Sequence, residues 1–97
     1  MIPIHFAPLQ GYTDDVYRRI HHQLIGGVDC YYTPFIRIEG GGVRSKDLRD
    51  IEPAHNEGVP VVLQIILKSL KEFDYLVKVV EEKGYKEIDL NMGCPFP

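Results

Sequence analysis

Several things are scarce in this 97-residue sequence, and each scarcity removes a class of protein. Only two cysteines occur, Cys30 and Cys94, far apart and in no C-x-x-C pair. That spacing excludes a disulfide framework and the usual zinc sites, and it fits a reducing, cytoplasmic setting. No H-x-x-x-H pair or carboxylate cluster suggests a metal. No apolar run approaches the ~18–20 residues of a membrane span. Near the start, Pro3 and His5 interrupt Ile2, Ile4 and Phe6, so no signal-peptide core is present. Neither charge sign dominates: 11 Lys and Arg against 14 Asp and Glu leave a net charge of −3. There is no basic footprint of a dedicated nucleic-acid surface, so any RNA-binding face would have to be local or lie outside this chain. No low-complexity tract or strong repeat appears. No G-x-G-x-x-G follows the first strand candidate, which argues against a dinucleotide-binding Rossmann unit.

What is present is an ordinary globular composition, 44% hydrophobic and 26% charged. Apolar residues occur throughout, which excludes general disorder. The length suits one small domain with a modest core.

The opening Ile4-His5-Phe6-Ala7 reads as a short strand ended by Pro8. Thr13 or Asp14 can cap a following helix, with Asp14 and Asp15 favoured at its positive end. Val16, Ile20 and Leu24 recur every fourth residue and predict the buried face of that helix, with Tyr17 beside it. Gly26 and Gly27 stop it. Cys30 to Thr33 is a second strand candidate that Pro34 ends or bends. Gly40-Gly41-Gly42 reads as a flexible loop, and Ser45 to Asp50 could hold a turn of helix. Val61 to Leu67 is almost continuously apolar, the pattern of a parallel strand covered on both faces. Ser69 and Glu72 make a capping box, and Phe73, Leu76, Val77 and Val80 follow at helical spacing until Gly84. Glu87 to Leu90 is the fourth strand. This β/α alternation implies a parallel α/β sheet with right-handed crossovers. The pattern alone does not separate an open sheet from part of a barrel.

Chemistry in a β/α barrel lies at the C-terminal ends of the strands. Gln64 is polar within an apolar strand. It either meets the polar edge of a heterocycle such as flavin or a nucleobase, or bonds to neighbouring backbone or water. Cys94, between Gly93 and Pro95, is either a fixed proton donor or a small buried hydrophobe. Asn91 either reads a base edge or caps its own turn. Cys30 reads as plain core, His21 and His22 as solvent-exposed. Arg37, Arg44 and Arg49 are either solvated or poised for phosphate.

Four stretches, Phe6 to Asp14, Tyr32 to Arg37, Pro60 to Ile65 and Ile88 to Pro95, together resemble the tRNA-dihydrouridine synthase family. The resemblance implies the N-terminal half of a (β/α)8 TIM barrel, with residues 1–97 a truncated portion of an FMN-binding catalytic domain. It implies FMN as cofactor, NADPH as electron donor and tRNA as partner. It places backbone around Pro8, Leu9 and Gln10 against the flavin, bonds Gln64 to the isoalloxazine ring, sets Asn91 beside the target uridine and makes Cys94 the general acid. Reduced flavin would give hydride to C6 of the uracil while the Cys94 thiol protonates C5, which requires the base to leave its stack. Leu9 stands where Met is usual, and Pro34 where Glu is common. The family's later lysine and histidine, its flavin-phosphate loops and its helical RNA-binding domain have no counterpart. A dihydroorotate dehydrogenase-like barrel and a non-catalytic half-barrel module are the rival readings. The expectation for the chain alone is inactivity, weak flavin binding and self-association, driven by unpaired edges at Ile4 and Ile88 and by an apolar inner face built from residues such as Phe6, Val62 and Ile88.

Overall fold

The fold is taken from a computed structural model that describes residues 2–92. Four strands form one sheet: β1 (His5–Phe6), β2 (Cys30–Tyr32), β5 (Val61–Ile65) and β6 (Ile88–Leu90). Their spatial order is β1-β2-β5-β6 and every neighbouring pair is parallel. Helix α1 (Asp15–Leu24) joins the first two strands, and α3 (Leu70–Glu82) joins β5 to β6. The parallel sheet is the one the alternation predicts, and its sequential strand order is consistent with a partial (β/α) barrel.

Helix starts follow the expected chemistry. Asp14, in extended conformation, accepts the Tyr17 N–H at 2.9 Å and caps α1. Thr13 bonds instead to Leu9. Ser69 accepts the Glu72 N–H at 3.2 Å, while the Glu72 carboxylate reaches the Lys68 N–H at 2.8 Å, one residue before the cap.

The link from β2 to β5 holds more structure than expected. Ile38–Glu39 (β3) pairs antiparallel with Gly42–Val43 (β4). Gly40 and Gly41, at φ 65° and 86°, form the two-residue turn, a conformation glycine adopts without Cβ strain. The glycine run is therefore a hairpin turn rather than a flexible loop. Helix α2 (Ser45–Asp50) follows, then a 3-10 turn over Pro53–Asn56.

The aliphatic core lies between the sheet and α3. Ile36, Ile51, Leu63, Ile65, Leu76 and Val80 are buried together, with Val61 and Ile88 packed against them. Alternation along β5 puts Val62 and Gln64 on the other face. Cross-strand register extends that face: His5 is opposite Cys30, Tyr32 opposite Val62, and Gln64 opposite Asp89. The sheet face away from the helices is thus mostly polar: His5, Cys30, Tyr32, Val62, Gln64 and Asp89. This corrects the expected apolar inner face. Phe6 pairs with Tyr31, and Ile88 with Leu63, so both belong to the helix-covered side.

Helix α1 brings a second correction. Val16, Ile20 and Leu24 are 45%, 48% and 80% exposed, while Asp15 and Arg18 are buried. His21 and His22, expected in solvent, are half-buried on the same side. The His21 ring lies 4.8 Å from that of Phe6, and its Nδ1 is 2.7 Å from the Tyr31 hydroxyl. Cys30 is not plain core either. It is half-buried on the polar face, and burial pushes its thiol pKa up.

Candidate functional site at the C-terminal ends of the strands

Gln64 and Asp89 are direct register partners on neighbouring parallel strands, so their side chains leave the sheet side by side. The Gln64 Nε2 donates to Asp89 Oδ2 at 2.9 Å. Beyond β6, the Asn91 N–H donates to the Ile65 carbonyl at 2.9 Å and continues the ladder for one more step. That bond holds the Asn91 side chain beside Gln64, where its Nδ2 donates to Gln64 Oε1 at 3.2 Å. Three polar groups from two strands thus form a hydrogen-bonded row, half-buried and aimed at the polar face. The Gln64 amide is bonded to two side chains, partners that neither reading of it named.

The other candidates sit near the same end of the sheet but apart from this row. Pro8 is half-buried, and Leu9 and Gln10 are exposed in the loop after β1. The loop closes on Thr13: the Leu9 N–H donates to Thr13 Oγ1 at 2.8 Å, and the Leu9 carbonyl accepts from the Tyr12 and Thr13 N–H groups. The Leu9 donor is therefore engaged within the loop. Gln10 borders a small cleft with Pro34, Lys46 and Arg49. Asn91 borders a larger one, of about 580 Å³, with Phe35, Arg37, Lys68 and Met92. Gln64 and Asn91 are brought together; Gln10 belongs to a separate concavity. Cys94 lies outside the described residues.

Arg18 was not legible as important, yet it holds the loop in place. Its guanidinium is fully buried and donates to the Thr13 carbonyl at 2.9 Å, to Asp50 Oδ2 at 3.2 Å, to the Asp50 carbonyl at 3.0 Å and to Asn56 Oδ1 at 2.9 Å. Only its Nε lacks a partner among the described residues. Asn56 donates onward to the carbonyls of Asp50 and Glu52. Burial raises the Asp50 pKa, and the Arg18 charge only partly opposes that. Beside this cluster, His55 Nδ1 is 2.7 Å from the Arg49 carbonyl and 3.2 Å from Asp15 Oδ2. Both neighbours only accept, so this nitrogen carries the proton. The Arg18 cluster ties α1, α2 and the 3-10 turn to Thr13, and through Thr13 to Leu9.

The remaining arginines divide. Arg44 pairs with Asp47 at 2.8 Å and also donates to the Phe35 carbonyl, so it is structural. Arg37 pairs with Glu39 at 3.1 Å in an exposed position, and the Arg49 residue is exposed. Among the described residues, no group of three or more His, Cys, Asp or Glu could hold a metal, and no helix is long and apolar enough to cross a membrane.

Sequential parallel β/α units are consistent with part of a (β/α) barrel, and the polar row lies at the C-terminal ends of two of its strands. Comparison with known proteins makes the class particular. The chain belongs to the dihydrouridine synthase (Dus) family, whose profile matches residues 5–97. It is 32% identical over 93 residues to a tRNA-dihydrouridine(20/20a) synthase of Vibrio cholerae, covering 92% of this chain and 26% of that protein. Proteins of the same name from Vibrio parahaemolyticus and Yersinia pestis are each 30% identical over 89 residues, covering 92% of this chain and 26% and 25% of theirs. The chain thus spans about a quarter of the length of the curated relatives it matches. No solved structure matched it.

Proposed function

We propose that these residues form the first part of a flavin-dependent enzyme that reduces uridine to 5,6-dihydrouridine in tRNA. The observation that carries this reading is the Asp89–Gln64–Asn91 row in a chain of this family. A flavin ring has a polar edge of alternating donors and acceptors, and a positioned amide suits it. Gln64 would hold the ring of FMN, and the loop at Pro8, Leu9 and Gln10 would lie against its plane. Gln64, held by Asp89 and Asn91, fits that ring end of the cofactor. A bound FMN, recharged by NADPH, supplies the redox chemistry.

The chain's own residues do the rest. Asn91 would orient the extruded uracil next to Gln64. The Cys94 thiol would deliver a proton to C5 of the base, a task suited to a thiol that stays protonated near neutral pH. tRNA is the partner and the cytoplasm the setting.

In an intact protein containing this segment, Cys94→Ala should keep flavin binding and its reduction by NADPH. Dihydrouridine formation in tRNA should fall about 10²–10⁴-fold, the usual loss for a general acid. Unchanged turnover would remove Cys94 from the chemistry. Turnover of dihydroorotate instead of tRNA would favour the dehydrogenase-like alternative.

Two observations support self-association of the isolated chain. β1 and β6 are the outer strands of the sheet, and Val16, Ile20 and Leu24 stand exposed on α1. Open strand edges invite pairing with another chain. Sedimentation at rising concentration would show mass increasing with concentration; a monomer throughout would exclude it.

A further inference from the structure

We propose that the cleft bordered by Asn91 seats the nucleotide next to the target uridine in the RNA strand, with Arg37 and Lys68 taking its phosphate. The inference rests on the reading of tRNA as substrate, and it adds which of this chain's residues hold the strand. The cleft measures about 580 Å³ and lies between the segment after β2, the first strand of the hairpin and the start of α3. That volume falls within the ~300–1,000 Å³ of small-ligand sites. Asn91 borders the cleft and is also bonded to Gln64, so the cleft opens directly beside the polar row. A base held at Asn91 belongs to a continuous strand, so the neighbouring nucleotide lies one sugar–phosphate step away.

The lining supplies two kinds of contact. Phe35, Ile66 and Leu67, all half-buried, give an apolar wall on which a base or ribose can rest. The charged groups are Arg37, Lys68, Glu39 and Glu72. Both carboxylates are already engaged: Glu39 accepts from Arg37 Nη2 at 3.1 Å, and Glu72 accepts from the Lys68 backbone N–H at 2.8 Å. The donors are not used up. Arg37 Nε is buried and has no hydrogen-bond partner among the described residues, and the Lys68 ammonium is in no ion pair among them. A buried donor calls for an acceptor, and a phosphate oxygen gives it a short, charge-assisted bond. Two cations and two carboxylates leave the cleft without net charge, so recognition comes from these donors at contact rather than from attraction at long range. This is a local RNA-binding face, the kind open to a chain with a net charge of −3.

The test titrates the 97-residue chain with a short oligouridylate, followed in ¹H–¹⁵N spectra. The Arg37 Nε–H signal should shift and exchange more slowly, and the Asn91 side-chain amide should move with it. Lys68→Ala and Arg37→Ala should each weaken binding about 3–10-fold, the value of one hydrogen bond, while the β5 backbone signals stay in place. Lys68→Arg, which keeps the cation, should retain most of the affinity. Each removed cation should also reduce the slope of log affinity against log salt by ~0.7, as for one lost phosphate contact on a single strand. Equal affinity in the native chain and Lys68→Ala overturns the proposal, as does an Arg37 signal that the oligouridylate leaves unmoved. Inorganic phosphate at the same phosphate concentration should move Arg37 Nε much less. An equal response would mean a site for any anion and would overturn the nucleotide assignment. The two readings fail separately. Movement of Asn91 without Arg37 and Lys68 leaves the uridine reading standing and removes the cleft from it. Movement of Arg37 and Lys68 without Asn91 keeps the cleft as a nucleotide site and counts against Asn91 as the uridine contact.

Discussion

Helices α1 and α3 both follow a strand and cover the same sheet, yet they are fastened to it in opposite ways. Helix α3 buries Leu76 and Val80 against Leu63 and Ile65, a contact of aliphatic side chains with no direction. Helix α1 buries Asp15 and Arg18, leaves Val16, Ile20 and Leu24 exposed, and meets the sheet through His21 against Phe6 and Tyr31. Apolar packing tolerates small shifts, since its energy follows area. Hydrogen bonds from a rigid guanidinium fork do not, because they fail within a few tenths of an ångström and tens of degrees. The directional fastening lies where the chain carries the Pro8–Gln10 loop at the mouth of the sheet. The lesson is that α3 supplies stability, whereas the α1 cluster supplies position as well.

The strongest way to break this contrast is Arg18→Ala. It leaves Asp50 buried without its counter-charge and unties Asn56 and Thr13, so it should cost about 3–5 kcal/mol. Removing both charges together, as Arg18→Met with Asp50→Leu, should cost much less, because no unpaired charge remains. Urea unfolding of the single and double variants measures both. A double variant as unstable as Arg18→Ala would mean that the hydrogen bonds to backbone, not the charges, hold the cluster.

Leu76→Ala tests the other side. A fully buried leucine truncated to alanine should cost about 2–5 kcal/mol through lost transfer energy and the cavity left behind. No second substitution should rescue it except one that refills the volume. Urea melts of Leu76→Ala, alone and with larger residues at neighbouring positions, check this. Against a total stability of roughly 5–15 kcal/mol for a domain of this kind, either change is severe.

The same contrast explains what the sequence disclosed. The β5 and α3 segments were legible because apolar periodicity and burial coincide there: Leu76 and Val80 have the expected spacing and are buried. For α1 the identical rule pointed to Val16, Ile20 and Leu24, the wrong stripe. The buried stripe is charged, and its partners Asp50 and Asn56 lie 32 and 38 residues further along the chain. Periodicity carries no information about such partners. Gln64 stood out as a polar residue in an apolar strand, but its link to Asp89 depends on strand register, which composition does not reveal. The Gly40-Gly41 hairpin had a readable signal, two glycines between Ile38 and Val43, that the loop reading passed over.

The helix caps offer a finer comparison. Asp14→Ala removes a charged cap at 2.9 Å from the Tyr17 N–H, and Ser69→Ala a neutral one at 3.2 Å from the Glu72 N–H. Each should cost about 1 kcal/mol. The Asp14 change should be the larger by a few tenths, because its charge also meets the positive end of the helix. Added salt should shrink that difference, since the Asp14 contact is exposed and screened. Thermal melts of the two variants at low and high salt would show it; equal salt dependence would mean that the caps act by hydrogen bonding alone.

The smallest effect separates the two regions by pH. Burial raises the Asp50 pKa from its model-peptide value of 3.8, and the Arg18 charge, which pulls it down, is the weaker influence. The folded chain therefore binds this proton more tightly than the unfolded chain does. A carboxyl shifted upward contributes stability that is fully present below its unfolded pKa and is lost as pH rises through its folded value. Asp50→Asn removes that titration while keeping the shape. The stability of the native chain minus that of Asp50→Asn should thus increase as pH falls from about 7, and level off below about 4. The same difference taken with Leu76→Ala should stay flat, because no proton is linked to a leucine. Urea midpoints for the three chains across that range measure both curves. If the Asp50 difference instead falls on acidification, the Arg18 attraction outweighs burial, and the cluster fastening α1 gains rather than loses from its charge.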